Sequence, residues 1–537
     1  MVYQINYFTK KRMKVFSLKP NHFWLIFILV LAAILRFDQI NQPFVDLIGW
    51  RESDNATIAD NFYRGNWNIL YPQISWNGPE PNYVGYEFQT LTYLAGLLYH
   101  FVGQHDWVGR SVSVMFGVWG IFALYQLVRH VWDEERALVS SAIMAFLPGS
   151  IFIDRSFISD PIMVSLVTTS FWFLVVYLQT GALRFLILAS AIGILGFLTK
   201  ISGLIIGIPM IYAMVTILEQ KQKLRFKHFV PLIIASLVVL IPVFSYYLWA
   251  KYIYVNYPPH HIAAAGNWIW DHGFLKWLGE KYYLGKAVHL FDDWLWTKPI
   301  ILLVLIGSFL KQPQQNSCDS FTLRNVSWLF HYWTLAMAIY YFVGAKELVD
   351  NPWNFHLVNP PAAALAGHAI TSFAKVASRY IQFPALVIVL TAIVLAITSG
   401  FRYKALSHGF NPYYAQTQEG YELGVALSQI TQPSDLVVAV AEEIGNPIGI
   451  YYSQRKGWVF PPVWSEAEWW DDIKDDGAAI ESLEELRQKG AKWFGIAAHQ
   501  KNKILQNNIE LAQYIQQNCD LYRENSKWTI YQLPPPK

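Results

Sequence analysis

Acidic and basic side chains recur at the ends of long apolar segments, where they are costly to keep. Glu52 and Asp54 follow the first apolar segment. Asp160 begins a later segment, and Lys200 stands in a short turn before another. A carboxylate in such a place can act as a general base on an acceptor hydroxyl. A cation such as Lys200 or Arg155 can hold a phosphate and stabilise charge on a leaving group.

A structural interpretation of the same residues also stands. An aspartate before a proline often caps a helix N-terminus, because its oxygen accepts a hydrogen bond from an otherwise unpaired amide. Asp160, which precedes Pro161, fits that role. Asp54 could likewise cap the helix that follows it, and a loop lysine is usually only solvated. The residue types alone leave both interpretations open.

The composition indicates a membrane protein. Of 537 residues, 54% are hydrophobic and 15% are charged, against roughly 25% charged residues in a soluble domain. The net charge of +3 is small and argues against a nucleic-acid-binding protein. The chain contains about eleven apolar segments, most of them near the ~17–25 residues that a membrane span requires. We therefore expect an α-helical polytopic membrane protein.

The basic loop residues predict its orientation. Positive charge collects on the cytoplasmic side of a membrane protein, and the lysines and arginine of 221–227 fit there if the N-terminus is cytoplasmic. The apolar stretch 83–102 would invert this pattern if it crossed, and it carries Glu87 and His100. We therefore expect it to be an amphipathic helix on the outer membrane surface. The candidate acids and Lys200 then face outward.

The last part of the chain has a different character. After about residue 400, charge rises and apolar runs shorten. The segments DLVVAVA (435–441) and AKWFGIA (491–497) predict strands, and AAIESLEELRQKG (478–490) predicts an amphipathic helix. We expect a transmembrane domain over residues 1–399 and a small extracytoplasmic α/β domain over residues 400–537.

Several short motifs follow one another along the chain. They are the acidic stretch at 51–54, Gly-Asn-Trp at 65–67, the surface helix in 83–102, Gly109 and Arg110, Asp160 and Pro161, GFLTKISGL (196–204) and FHLVNPPAAALAG (355–367). Taken in this order, they resemble the GT-C fold glycosyltransferases of the protein O-mannosyltransferase and aminoarabinose transferase-like superfamily. Each motif is weak alone, and their shared order and topology make the resemblance specific.

The resemblance implies an enzyme that takes a sugar from a polyprenyl-phosphate carrier. Such an enzyme transfers the sugar, usually with inversion, to a lipid, glycan or protein acceptor on the outer face of the plasma membrane. The first-loop acid would be the general base, and the match leaves Asp54 or Glu52 for that role. Asp160 would be the second carboxylate of the site. The donor phosphate would be bound by Lys200, Arg155, Lys346 and His356.

The sequence requires no cofactor and assigns no metal ligand. It contains no P-loop, dinucleotide fingerprint or Cys-x-x-Cys pair, while two acids could hold a divalent cation. The main alternative is a transporter or flippase of lipid-linked sugars, which would show polar residues near the membrane midplane. A membrane-anchored assembly protein, with its function in the tail, is a further alternative. Ionisable residues at the segment ends favour the enzyme.

Overall fold

The structure is a computed structural model that describes residues 20–65, 67–79, 81–223, 225–261, 281–313, 326–349, 351–380, 385–407, 412–441, 443–462 and 473–536. A helical part is followed by a five-stranded sheet with its own helices. The first helices are α1 (Pro20–Arg36), α2 (Gly49–Arg64), α3 (Thr90–Val102), α4 (Asp106–Val131), α5 (Glu134–Phe146), α6 (Pro148–Arg155), α7 (Asp160–Thr180), α8 (Leu183–Thr199), α9 (Gly207–Gln220) and α10 (Phe226–Asn256). The next are α11 (Lys281–His289), α12 (Lys298–Phe309), α13 (Leu329–Leu348), α14 (Asn359–Ala377) and α15 (Ala385–Ser407).

Five of the described helices are long and apolar enough to cross a membrane: Asp106–Val131, Asp160–Thr180, Ile201–Gln220, Phe226–Asn256 and Leu386–Ser407. The pair α5 and α6 is bent by 64° and adds a sixth if it counts as one span. The bend falls where Pro148 begins α6, because proline cannot donate a backbone hydrogen bond. The chain is thus a membrane protein, and the count of about eleven spans stays a prediction.

Small residues let the helices of this part approach closely. A Cβ added to Gly307 in α12 would lie 2.0 Å from the Leu365 carbonyl oxygen in α14. A Cβ on Gly367 in α14 would lie 2.5 Å from Ser140 Oγ in α5. Such contacts replace the hydrophobic effect as the force that joins helices in lipid, since lipid tails are themselves apolar. The alanine-rich first part of α14 is accordingly buried on all sides, from Asn359 to Thr371.

The C-terminal part forms a mixed sheet. Its strands are β1 (Leu436–Val440), β2 (Gly457–Val459), β3 (Ala491–Ala497), β4 (Asp520–Glu524) and β5 (Trp528–Gln532), in the order β2-β1-β3-β5-β4. β1 runs parallel to β2 and β3, whereas β5 runs antiparallel to β3 and β4. Its helices are α16 (Pro412–Ile430), α17 (Ile448–Ser453), α18 (Asp476–Gln488), α19 (Ala498–Asn507) and α20 (Ile509–Asn518).

Two strands and one helix of this part were expected from the sequence, and they are present as β1, β3 and α18. The expected boundary at residue 400 falls inside α15, which continues to Ser407. The sheet itself begins at Leu436. We refer to the residues from Pro412 onward as the C-terminal domain.

The C-terminal domain docks on the first loop, defined as residues 37–105. Asp106, at the start of α4, accepts hydrogen bonds from the hydroxyls of Tyr451 and Tyr452 at 2.8 and 2.6 Å. One buried apolar cluster contains Ile58 and Phe62 of α2 together with Val437 of β1. A core shared in this way makes the first loop and the C-terminal domain one packed unit.

The close contact at Gly307 generates a prediction about stability. Gly307→Ala should destabilise the protein by about 1–3 kcal/mol, because the new methyl group must push α12 away from α14. Gly207→Ala is the matched control, since nothing lies within 4 Å of a Cβ at Gly207. Thermal unfolding in detergent measures both variants. A Gly307→Ala protein as stable as Gly207→Ala would contradict the close packing.

Candidate active site

Five charged side chains from four segments of the chain lie near one another, and we name them the charge cluster: Arg51, Asp54, Glu87, Asp160 and Lys200. Two of them come from α2, and one from the loop between α2 and α3. The other two stand at the first residue of α7 and directly after α8. The cluster therefore unites three residues predicted from the sequence with two that were not.

Asp54 is a buried carboxylate held by neutral donors. Trp76 Nε1 donates to its Oδ1 at 2.8 Å, and the Tyr86 hydroxyl donates to its Oδ2 at 2.8 Å. Burial raises the pKa of Asp54 above its ordinary value, although Arg51 and the two donors oppose the shift. Within the described part of the chain, no cation lies within ion-pair distance of Asp54. Its proton affinity is thus raised while its two oxygens stay fixed in place.

His261 packs over the two donors of Asp54. Its ring centroid lies 5.5 Å from that of Trp76 and 5.6 Å from that of Tyr86. Burial, with a smaller effect from Arg51, lowers the pKa of His261 to about 4. The imidazole is therefore neutral at physiological pH and adds no charge beside Asp54.

Arg51 and Glu87 form the middle of the cluster. Arg51 Nη2 donates to Glu87 Oε2 at 2.7 Å, and the Ser159 hydroxyl donates to the same oxygen at 3.2 Å. Burial alone would raise the pKa of Glu87, but Arg51 and Lys200 bring it below its ordinary value. Glu87 is therefore ionised and fixes Arg51 in the cluster.

Lys200 and Asp160 form the far end of the cluster. Lys200 Nζ donates to Asp160 Oδ1 at 2.7 Å and to Asn354 Oδ1 at 2.9 Å. The Asp160 side chain is 2% exposed, whereas the side chains of Lys200 and Arg51 are 11% and 20% exposed. A ligand that enters the site therefore meets the two cations before it meets Asp160. The carboxylate of Asp160 orients Lys200. The expected helix-capping role is wrong, because Asp160 is the first residue of α7 and the N-cap position is Ser159.

Glu52 lies in a different environment from Asp54. Its two oxygens accept hydrogen bonds from Arg110 Nε and Nη2, each at 2.8 Å, and the Phe157 backbone amide also donates to Oε1 at 2.8 Å. Burial alone would raise the pKa of Glu52, but Arg110 brings it below its ordinary value. Glu52 is thus a poor proton acceptor that joins α2 to α4, and the geometry favours Asp54 as the base.

Arg155 and His356 lie in buried networks rather than in the charge cluster. Arg155 Nη2 donates to Asp46 Oδ2 at 2.5 Å, and its Nε and Nη1 find no partner among the described residues. His356 Nε2 lies 2.9 Å from Asp154, which also receives Arg36 Nε at 2.8 Å. Neither side chain is exposed. The third expected phosphate ligand, the side chain of Lys346, lies outside the described residues.

Sequence reasoning did not predict four residues of this site, namely Arg51, Glu87, Trp76 and Tyr86. Glu87 carried a signal, because an acid inside the apolar stretch 83–102 needs a partner, and its partner is Arg51. Trp76 and Tyr86 carried no such signal, since aromatic residues are common throughout this chain. Their role depends on which of their polar atoms reach Asp54, and only the folded structure shows that.

The fold and part of the sequence match known proteins. Residues 90–249 match the family described as dolichyl-phosphate-mannose-protein mannosyltransferase, a range that contains Asp160 and Lys200 but not Asp54. No curated protein sequence matches the chain. The resemblance seen in the sequence is confirmed: residues 90–249 match this family, and the chain has the GT-C fold.

Solved structures resemble the whole chain. ArnT from Cupriavidus metallidurans bound to undecaprenyl phosphate aligns with a TM-score of 0.64 and 12% identity, over 95% of this chain and 98% of that one. The oligosaccharyltransferase AglB from Archaeoglobus fulgidus, in complex with an inhibitory peptide and a dolichol-phosphate, aligns with a TM-score of 0.51 and 13% identity, over 92% of this chain and 71% of that one. The Archaeoglobus fulgidus oligosaccharyltransferase in complex with Zn and sulfate aligns with a TM-score of 0.55 and 12% identity, over 94% of this chain and 72% of that one.

A divalent cation does not fit the charge cluster as it stands. Among residues that the structure describes, no three His, Cys, Asp or Glu side chains are grouped so that they could hold a metal ion. Glu87 and Asp160 are each paired with a cation of the protein, and Asp54 accepts hydrogen bonds on both oxygens. A cation would have to displace these partners before it could bind. We therefore derive no step through a metal.

The Glu52–Arg110 pair generates a prediction about stability. Glu52→Ala should destabilise the protein by about 3–5 kcal/mol, because it leaves the Arg110 guanidinium buried without a counter-charge. Glu135→Ala removes a carboxylate from an exposed pair with Lys375, which should cost about 0–1 kcal/mol. Thermal unfolding and the yield of folded protein in detergent compare the two. Equal stability of both variants would mean that Glu52 is not a structural ion-pair partner.

Proposed function

We propose that this chain is a membrane glycosyltransferase that moves a sugar from a polyprenyl-phosphate carrier to an acceptor on the outer face of the plasma membrane. The observation that carries the proposal is the contrast between Asp54 and its neighbours. Asp54 is bound by neutral donors and has a raised pKa, whereas Glu52, Glu87 and Asp160 each contact a cation. Asp54 is thus the carboxylate best suited to take a proton. The GT-C fold supports the same reaction class.

In the proposed reaction, Asp54 is the general base. It takes the proton of an acceptor hydroxyl while that oxygen attacks the anomeric carbon of the sugar. The bond between the anomeric carbon and the phosphate oxygen breaks, and the polyprenyl phosphate leaves with the electron pair. One displacement of this kind inverts the configuration at the anomeric carbon. The two fixed hydrogen bonds to Asp54 position its oxygens for this transfer.

Lys200 and Arg51 bind the donor phosphate in this proposal. They are the two cations of the charge cluster, and both side chains are partly exposed. Asp160 positions Lys200, and Glu87 positions Arg51. Positive charge held at the place where negative charge develops stabilises the leaving group without reorganisation. Arg155, with two unpaired donor atoms, is a further candidate for this phosphate, although no contact joins it to the charge cluster.

The place of the site at helix ends suits a lipid donor. Each methylene of the carrier that leaves the bilayer costs ~0.8 kcal/mol, so the tail must stay in lipid while its head group reacts. Asp160 and Lys200 stand where α7 begins and α8 ends. In the proposed topology the N-terminus is cytoplasmic, and the first loop and the C-terminal domain cover the site from outside.

Asp54→Asn provides the direct test of the base. The variant should lose about 10²–10⁴-fold in kcat, because the amide cannot accept the proton. Asp60→Asn, on the same helix, is the matched control and should transfer sugar like the wild type, since Asp60 pairs with the half-exposed Arg64. The measurement is sugar transfer in proteoliposomes, with a panel of polyprenyl-phosphate sugars as donors and a membrane extract as acceptor.

Two outcomes of this assay would contradict the proposal. Full transfer by Asp54→Asn would leave the reaction in place and remove Asp54 as its base. Absence of transfer by the wild-type protein across the whole panel, together with movement of the donor between membrane leaflets, would identify a flippase instead.

The pH dependence gives a second test of Asp54. The base must be ionised to act, so kcat should fall as pH drops through the pKa of Asp54. Burial raises that pKa above 3.8, the ordinary value for an aspartate. The acidic limb of the plot of kcat against pH should therefore lie above pH 3.8. Tyr86→Phe removes a hydrogen bond that favours the ionised form, so it should move the limb to still higher pH. A limb that stays in place in Tyr86→Phe would contradict this assignment.

A further inference from the structure

Trp76 contacts both the candidate base and the C-terminal domain. Its indole Nε1 donates to Asp54 Oδ1 at 2.8 Å. Its backbone carbonyl accepts a hydrogen bond from the Val459 amide, in strand β2, at 3.2 Å. The residue is 2% exposed. An indole N–H is a donor only, so its position decides where the carboxylate oxygen must lie.

The neighbours of Trp76 form a short extension of the sheet. The Gly457 amide donates to the Ser75 carbonyl at 3.1 Å, and the Gly78 amide donates to the Gly457 carbonyl at 2.7 Å. Asn77 pairs antiparallel with Trp458 between them. Residues 75–78 thus lie along the free edge of β2, the outermost strand of the sheet. This edge pairing fixes the position of the Trp76 backbone along β2 and the direction in which its side chain leaves the backbone.

Apolar packing reinforces the same attachment. Ile74, Trp76, Val84 and Tyr86 of the first loop share one buried cluster with side chains of the C-terminal domain, among them Val437, Val459 and Trp493. Both donors to Asp54 therefore belong to a core that the C-terminal domain completes. This apolar packing stabilises the attachment of the first loop to the C-terminal domain, in addition to the edge hydrogen bonds. It also leaves the Trp76 ring little freedom to move.

We propose that Trp76 is a positioning residue through which the C-terminal domain holds the Asp54 carboxylate in its reactive orientation. This inference rests on the proposed function, because it takes Asp54 as the base. It assigns the C-terminal domain a part in the chemical step in addition to any part in acceptor binding. A base held at both oxygens keeps its geometry between turnovers, which a freely rotating carboxylate does not.

The indole acts on Asp54 together with three other groups. Arg51 lies close enough to lower the pKa of the carboxyl, and Tyr86 donates to its second oxygen. His261, neutral at physiological pH, packs against both aromatic donors. Loss of the indole N–H should leave these three groups in place. The carboxylate would then have one fixed oxygen instead of two.

Trp76→Phe tests the role of the indole while it keeps an aromatic ring in the core. The variant should lose about 10- to 100-fold in kcat, the equivalent of one hydrogen bond to a charged group. The KM for the lipid donor should stay unchanged, since Trp76 does not contact Lys200 or Asp160. The acidic limb of the pH profile should move to higher pH, because the hydrogen bond that favoured ionisation of Asp54 is gone.

Gly78→Ala tests the attachment to the C-terminal domain without a change in Trp76 or Asp54. Gly78 has a φ of +108°, and a Cβ there would lie 2.9 Å from the Trp458 ring, so an alanine must displace residues 75–78 from β2. Gly181→Ala is the matched control: its φ is +76°, but nothing lies within 4 Å of its Cβ. Gly78→Ala should reproduce the kcat loss and pH shift of Trp76→Phe, and Gly181→Ala should behave as the wild type.

An infrared titration separates this inference from the proposed function. The carboxyl band that Asp54→Asn removes reports the protonation of Asp54 whether or not sugar is transferred. In Trp76→Phe and Gly78→Ala this band should titrate at higher pH than in the wild type. A band that moves in neither variant would overturn the coupling, even in an active enzyme. A band that moves in both variants of a protein that transfers no sugar would support the coupling and overturn the proposed function.

Discussion

The cost of removing an ion from water governs how the charged residues of this protein are arranged. That cost is several kcal/mol per ion in an apolar environment, and only a well-placed counter-charge offsets it. Glu52 accordingly pairs with Arg110 across 58 residues, and Asp154 meets Arg36 and His356 across 118 and 202 residues. Such pairs join helices that are far apart in the chain. Asp106 also accepts only from neutral hydroxyls but is partly exposed. Asp54 is buried and still has only neutral donors, and that combination needs a functional reason.

The same constraint explains why the cations of the charge cluster and Asp54 have different partners. Lys200 and Arg51 are each held by a carboxylate, so they can stay charged at the edge of an apolar helix bundle and face an incoming phosphate. Asp54 is held by Trp76 and Tyr86, which fix its oxygens. Burial raises the pKa of Asp54 by more than these two hydrogen bonds and Arg51 lower it. The reaction proposed for this site needs little covalent chemistry from the protein, since a polyprenyl-phosphate donor already carries a good leaving group. What the protein adds is geometry and positive charge.

Sequence reasoning singled out Asp54, Asp160 and Lys200, which the structure places in one cluster, because acids and bases at the ends of apolar segments are conspicuous. It could not choose between Glu52 and Asp54, since residues two apart on a helix face different neighbours and the identity of those neighbours depends on tertiary packing. It expected Arg155 and His356 near the donor, but α6 and its surroundings bury both in structural networks. The contribution of Trp76 could not be predicted from the sequence. The amide that donates to its backbone carbonyl belongs to Val459, almost 400 residues later in the chain. The strands β1 and β3 were predictable, as their apolar runs are short and bounded by charged or turn residues.

A structure of the protein in a lipid nanodisc with a bound polyprenyl phosphate would test the central claim most directly. The phosphate should lie within hydrogen-bond distance of Lys200 or Arg51, with the Asp54 carboxylate facing the position that the sugar would take. Trp76 and Tyr86 should still donate to Asp54 in that complex. A phosphate that contacts neither Lys200 nor Arg51, with the Lys200–Asp160 and Arg51–Glu87 pairs unchanged, would contradict the assignment of the charge cluster as the active site.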